Sequence, residues 1–391
     1  MLADVVEALI DCRDILYEAA PVEPPCPPPP GLEELLGYTF TKKSLLVQAI
    51  THASMPGYLE EICMERLEFV GDAILDHVIV QTLASVRPPL PYQRMHLLRT
   101  TLANAAFLGF SAMMFTIAEP PTASTVDPLS TAQTEAATPF LKPLSAFMRH
   151  GASREMGIAQ ELCAERFASK KDAILEQLWA GHAYPWEDLM GLDADKFHSD
   201  LLEAVIGAVW IDSGSLGLVE MLLDKIGILP YLRRAVNENI HLLHPKEELE
   251  TVTGNVKLLY EVTRMARSEA TSAQGHTEPN GDSPVALKRK QTASEILDEG
   301  YDNLSGNDGS EGLSETSEED EMDEAEIRHN AIVGSREDRV VFQCRLSFNG
   351  ICEFEVNSCN SREEAETRVA GMALKAWKQG SLGKETVGQK S

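Results

Sequence analysis

Met64-Glu65-Arg66-Leu67-Glu68-Phe69-Val70-Gly71-Asp72-Ala73-Ile74-Leu75-Asp76 decides the reading of this 391-residue chain. Its acids stand at 65, 68, 72 and 76, spaced by three, four and four residues. At about 100° per residue they fall at roughly 0°, 300°, 340° and 20°, one narrow stripe of a helix. The remaining faces carry Leu67, Phe69, Val70, Ile74, Leu75, Val78 and Ile79, which predicts a largely buried helix. Carboxylates stacked at these intervals repel by tenths of a kcal/mol per pair, and by more when desolvated. Something positive must face the stripe, either from the chain or bound by it.

A second acidic pair lies in Lys196-Phe197-His198-Ser199-Asp200-Leu201-Leu202-Glu203-Ala204-Val205-Ile206-Gly207-Ala208-Val209-Trp210-Ile211, where only Lys196, Asp200, Glu203 and Gly207 interrupt an apolar surface, on one face. A helix apolar on every other side is a core helix, and ionised acids there must be paired or hold a metal. Lys196 brings one charge, too little for two pairs of acids. If Glu68 and Asp72 face Asp200 and Glu203, four hard oxygen ligands converge with no His or Cys at ligand spacing. That donor set suits Mg²⁺ or Mn²⁺. The alternative is that the acids only cap or solvate two helices, a reading that weighs most on Glu65 and Asp76.

The same residues carry a family resemblance. ERLEFVGDAILD (65–76) resembles the signature of ribonuclease III domains, and the run from Lys196 to Gly214 resembles their second acidic motif. Arg99-Thr100-Thr101-Leu102-Ala103-Asn104 is similar to the helix that connects them. Taken residue by residue, the resemblance assigns Glu68, Asp72, Asp200 and Glu203 as metal-binding catalytic acids and Glu65 as an accessory acid. Lys196 matches a lysine found beside the site in Dicer-like members. The long insertion between the motifs resembles fungal Dicer-like proteins. Leu2-Ala3-Asp4-Val5-Val6-Glu7-Ala8-Leu9-Ile10 repeats the pattern of residues 199–206, as the last acidic helix of a preceding ribonuclease III domain would. The chain therefore reads as a C-terminal fragment of a Dicer-like protein; the alternative is a chance D-x-x-E helix.

Charge and cysteines bound the function further. The net charge is −27, but Ala293 to Glu326 holds 14 acids and no Lys or Arg. That tract cannot bury enough apolar surface to fold. About −13 remains elsewhere, so an RNA-binding face has to be local and metal-assisted. The seven cysteines form no CxxC pair and are odd in number, which points to reduced thiols and an intracellular site, cytoplasmic or nuclear. No apolar run approaches a membrane span, and no stretch resembles a signal peptide.

Along the chain, residues 1–20 read as the remnant helix and 21–30, with seven prolines, as a stiff linker. A ribonuclease III domain is expected over 31–240, all helical, with helices over 65–84, 94–115, 140–150, 154–182, 195–213 and 215–239. His52 reads as a structural histidine at a helix end. Trp179, Trp186 and Phe197 read as core residues. Residues 244–266 and 327–380 resemble a double-stranded-RNA-binding domain: a helix over 247–259, a hairpin around Asn349-Gly350, and a helix over 361–379. The acidic insertion 267–326 splits it, and 381–391 is a tail. The fold class is thus mainly α, an all-α nuclease domain followed by a small degenerate α+β domain. It is degenerate because Glu363, Glu364 and Glu366 stand where that family carries lysines. Arg362 is the main remaining phosphate contact, with Arg368 and Lys375 behind it. Lys288-Arg289-Lys290 carries too few bases to specify anything.

Four carboxylates from two helices suit two-metal hydrolysis, in which one ion lowers the pKa of a water and the pair clamps the attacking and leaving oxygens. The resemblance implies double-stranded RNA as substrate, in RNA silencing or antiviral defence. A staggered cut needs a second ribonuclease III domain, supplied by homodimerisation; without it only nicking is expected. The rival reading is a non-catalytic remnant that binds RNA or a partner.

Overall fold

The computed structural model describes residues 12–55, 63–119, 140–151, 154–254, 256–266, 291–292 and 340–380. They divide into two units, the first built from the described parts of 1–157, 163–184 and 194–242, the second from those of 158–162, 185–193 and 243–391. Asp4, Glu7, Lys288-Arg289-Lys290 and nearly all of the acidic insertion lie outside the described residues.

The first unit opens with helices over 12–19 (α1), Leu32–Leu36 (α2) and Lys43–Ala49 (α3). The acidic signature forms Glu65–Ser85 (α4), followed by Tyr92–Leu102 (α5) and Ala105–Met114 (α6). Where one connecting helix was expected over 94–115 there are two. Asn104 explains the break: its side chain accepts the Ala106 N–H at 2.9 Å, which caps a new helix. Strands Thr116–Glu119 (β1) and Phe140–Pro143 (β2) then pair antiparallel at the base of the Thr/Pro/Ala-rich insertion. A helix over 140–150 was expected here; Pro143, lacking an N–H, fits a strand end, and only a 3₁₀ turn, Leu144–Phe147, follows. Apart from this hairpin the unit is helical, as expected. It continues with Arg154–Ala180 (α7) and, after Trp186–Leu192 (α8), which groups with the second unit, with Phe197–Ser213 (α9), Leu216–Ile226 (α10) and Ile228–Asn237 (α11).

Apolar on nearly every side, α9 becomes the hub of this unit, with α3, α4, α6 and α10 packed around it. Leu201, Leu202, Val205, Ile206 and Val209 are fully buried. Two glycines set how closely α4 and α9 cross. A Cβ on Gly71 would stand 1.8 Å from the Glu203 carbonyl oxygen, and one on Gly207 2.1 Å from that of Leu67. The backbones touch, and the acids one turn either side of the crossing are forced together. At the far end of α9, buried Asp212 accepts hydrogen bonds from the Tyr38 hydroxyl (2.7 Å) and the Thr41 and Lys42 N–H groups (2.7 and 2.9 Å). That clamp fixes α9 to the α2–α3 turn.

In the second unit, Pro245–Thr253 (α12) precedes strands Leu258–Ala266 (β3), Gln291–Thr292 (β4), Val340–Phe348 (β5) and Ile351–Cys359 (β6), and helix Arg362–Lys378 (α13) closes the unit. The sheet is antiparallel in the order β4-β3-β5-β6, with Leu258 opposite Phe348 and Ala266 opposite Val340. Asn349 (φ 51°) and Gly350 (φ 89°) make the expected left-handed hairpin turn. The helix expected over 247–259 stops at Gly254, and β3 takes up the alternating residues Leu258, Tyr260 and Val262. Leu249, Leu258, Leu346, Phe348, Val369 and Ala373 form its core.

Candidate metal centre

On α4 the acids at 65, 68 and 72 face a cleft of about 640 Å³, which Lys196, Asp200 and Glu203 of the α9 region line from the other side. One carboxylate oxygen from each of Glu68, Asp200 and Glu203 lies within 4.8 Å of the others. Asp72 stands in the same cleft, more exposed and outside that trio, yet its charge acts on Glu203. Glu65 lines the outer part and is exposed. Asp76, the fourth acid of the stripe, is drawn away: Arg99 Nε of α5 donates to its Oδ2 at 2.9 Å. Nothing in the spacing of the signature gave Asp76 that partner.

Lys196 Nζ lies 3.1 Å from Glu68 Oε1 and 3.0 Å from Asp200 Oδ1, so one ammonium bridges the two helices. Burial disfavours its charge, but the hydrogen bonds to Asp200 and Glu68 outweigh that and raise its pKa. One cation does not balance the cleft. Burial, with Asp72, Asp200 and Glu68 beside it, pushes the Glu203 carboxyl up to about 8. Burial likewise lifts Asp200 to about 6, despite the hydrogen bond from Lys196, and raises Asp72, with Asp76 adding to the effect. Hard oxygen donors with uncompensated charge are the chemistry that a divalent cation satisfies, and no His or Cys joins the trio.

Phe69, expected in the core, is 77 % exposed on α4, where it borders the cleft; Val80, three turns on, is 43 % exposed. Trp179, also expected in the core, is 47 % exposed. His52 borders the cleft as well.

In the second unit, the cations of α13 are paired with the chain's own acids. Arg362 Nε donates to Glu366 at 2.8 Å, Arg368 reaches Glu364 at 3.4 Å, Lys375 reaches Glu187 of α8 at 3.1 Å, and Lys378 reaches Glu248 at 2.8 Å. Glu364 and Glu366 are only 4 % and 7 % exposed. Burial opposes the Glu366 charge, but Lys246 and Arg362 outweigh it and hold the carboxyl below its usual range. Glu364 and Glu366, two of the acids that replace the expected lysines, thus serve as internal counter-ions.

A helical domain whose two core helices cross at glycine and deliver carboxylates to one cleft is a frame suited to holding a divalent cation. Residues 65–214 match the Ribonuclease III domain, and the chain belongs to the ribonuclease III family. It is 46 % identical over 283 residues to Dicer-like protein 2 of Pyricularia oryzae, covering 68 % of this chain and 19 % of that protein. It is 37 % identical over 280 residues to Dicer-like protein 2 of Cryphonectria parasitica, covering 66 % of this chain and 19 % of that protein. The chain therefore spans about a fifth of the length of these relatives.

Proposed function

We propose that the chain acts as a double-stranded-RNA-specific endoribonuclease of the ribonuclease III/Dicer type, hydrolysing phosphodiesters with two divalent metal ions, Mg²⁺ or Mn²⁺, in RNA silencing or antiviral defence. The observation that carries this is the convergence of Glu68, Asp200 and Glu203, with Asp72 beside them, around a cleft whose charge Lys196 leaves unbalanced. Glu68, Asp72, Asp200 and Glu203 would hold the ions. When bound, such ions supply the Lewis-acid charge that activates water and stabilises the phosphodiester oxygens. Lys196 keeps Glu68 and Asp200 oriented across the crossing, and its half of the cleft remains open, since the side chain is 69 % exposed. The Gly71–Gly207 contact holds both acid pairs in place before any ligand arrives.

Exposed Phe69 and Val80 support pairing of α4 with a second ribonuclease III domain, from a second copy or from another domain. With no such partner, the chain nicks one strand. The pairing of the α13 cations with the chain's own acids favours the rival reading, a non-catalytic RNA- or partner-binding remnant, only for the second unit.

The test is incubation of the purified chain with duplex RNA, with and without Mg²⁺, alongside Glu203→Gln. Cleavage that requires both the ion and Glu203 is expected, with a loss of at least about a hundredfold in the variant. Salt-dependent duplex binding with no acid-dependent cleavage at any protein concentration would replace the enzyme with the binding remnant.

A further inference from the structure

His52, one of the residues that line the cleft, is anchored through a single ring nitrogen, Nδ1. The residues after α3 are tied to 149–151: Arg149 N–H donates to the Ile50 carbonyl (2.6 Å) and His52 N–H to the Arg149 carbonyl (2.8 Å). Gly151 N–H donates to Ser54 Oγ at 3.1 Å, and Ser54 Oγ lies 2.9 Å from His52 Nδ1. The Ser54 backbone N–H points at that same Nδ1 at 3.1 Å. A backbone N–H can only donate, so Nδ1 accepts and the ring proton of the neutral imidazole sits on Nε2. The ring packs edge-on against Phe197, at the start of α9, with centroids 6.3 Å apart. His52 borders the cleft together with Glu68, Asp72, Asp200 and Glu203. Anchoring of the loop uses Nδ1 alone, and a purely structural histidine would need nothing more.

Among the described lining residues the other neutral side-chain donor, the Ser199 hydroxyl, is engaged by the Lys196 carbonyl at 2.7 Å. Five carboxylates line the cleft (Glu65, Glu68, Asp72, Asp200 and Glu203), and Lys196 is its one ammonium among the described lining residues. A polyanionic strand entering there meets repulsion from every acid that an ion does not neutralise. An N–H fixed by its partner nitrogen offers a strand oxygen a hydrogen bond without adding a charge that would compete for the acids. We propose that His52 is a substrate-contact residue, whose Nε2–H donates to a backbone oxygen of the RNA strand in the metal cleft. This rests on the reading of the cleft as a duplex-RNA nuclease site.

Two variants separate the ring's two nitrogens. In His52→Asn the amide reaches only the Nδ1 position, so the Ser54 anchor is kept and the outer donor is lost. In His52→Gln the amide N–H extends to the Nε2 position. Binding of a 20-base-pair RNA duplex to the full chain is measured by fluorescence anisotropy in Ca²⁺, with cleavage in Mg²⁺ measured separately, so that an inactive wild type counts against the nuclease reading and not against this contact. His52→Asn is expected to melt at the wild-type temperature and to bind the duplex about tenfold more weakly, with His52→Gln recovering most of the loss. A duplex with 2′-deoxy substitutions assigns the acceptor: a penalty that persists marks a phosphate oxygen, one that disappears marks the 2′-oxygen. Wild-type affinity in a folded His52→Asn, or a loss that His52→Gln does not recover, would overturn the proposal.

Discussion

Replacing Gly71 by alanine adds one carbon at the α4–α9 crossing. That carbon would stand 1.8 Å from the Glu203 carbonyl oxygen, 2.6 Å from its carbonyl carbon and 2.9 Å from the Gly207 nitrogen. All three are backbone atoms, so no side chain can swing aside, and reaching even 3.0 Å requires the helices to part by at least about 1.2 Å. Overpacking of this kind costs about 1–3 kcal/mol, here at the upper end because both neighbours are rigid. Alanine's better helix propensity returns about 1 kcal/mol. The net is a loss of about 2 kcal/mol, or roughly 4–8 °C in melting temperature for a unit of this size. Gly157, within α7 and with nothing within 4 Å of its would-be Cβ, is the matched control. There alanine keeps the propensity gain, and the melting temperature should stay level or rise. The assay is thermal unfolding by circular dichroism of both variants, with Mn²⁺ affinity measured below the transition. Gly71→Ala is expected to melt lower and to bind Mn²⁺ more weakly, because its acids have moved apart. A Gly71→Ala protein that melts within 1 °C of wild type and binds Mn²⁺ equally well would refute the idea that backbone contact sets the site.

Three further outcomes follow from charge. Burial and the neighbouring acids push Glu203 up to about 8 in the folded chain, from an ordinary 4.5, so the metal-free folded state holds a proton that the unfolded state has released. Stability should therefore fall as pH rises from about 4.5 to about 8, by on the order of a few kcal/mol, and level off above that; Mg²⁺ at the proposed site would favour the deprotonated acids and should reverse the trend, as denaturant melts at pH 6 and pH 8 will report. In the second unit, Arg362→Ala should leave duplex affinity and its salt dependence unchanged within about twofold, since Arg362 is engaged by Glu366, whereas Lys246→Ala strips a buried carboxylate of one of its two cations and should cost about 2 kcal/mol in urea unfolding.

The acid stripe and the second acidic helix were legible because a strict i,i+3/i+4 pattern fixes a helix face whatever surrounds it. What lay across that face was not equally legible. Phe69 reads as core by hydrophobicity, but periodicity does not say whether this chain or another covers a helix, and 77 % of Phe69 is exposed. Asp76 shares the stripe but was never assigned to the site, and only the structure supplies its partner, Arg99, 23 residues later. The strand Leu258–Ala266 shows alternation in its own sequence, yet its partner begins at Val340, beyond the acidic insertion, and local reading extended the preceding helix into it. Gly71 and Gly207 were visible as glycines on the two acid-bearing helices, but the close backbone contact that makes them necessary appears only in the folded chain.

The central claim is that these carboxylates form one divalent-metal site, and Mn²⁺ titration calorimetry at pH 7 in two buffers of different ionisation enthalpy tests it most directly. With Glu203 titrating at about 8 and Asp200 at about 6 before the ion arrives, binding should release about one proton, and Glu203→Gln should lose both that proton and at least about thirtyfold in affinity. Equal Mn²⁺ affinity in wild type and Glu203→Gln, with a binding heat that does not change between buffers, would contradict it.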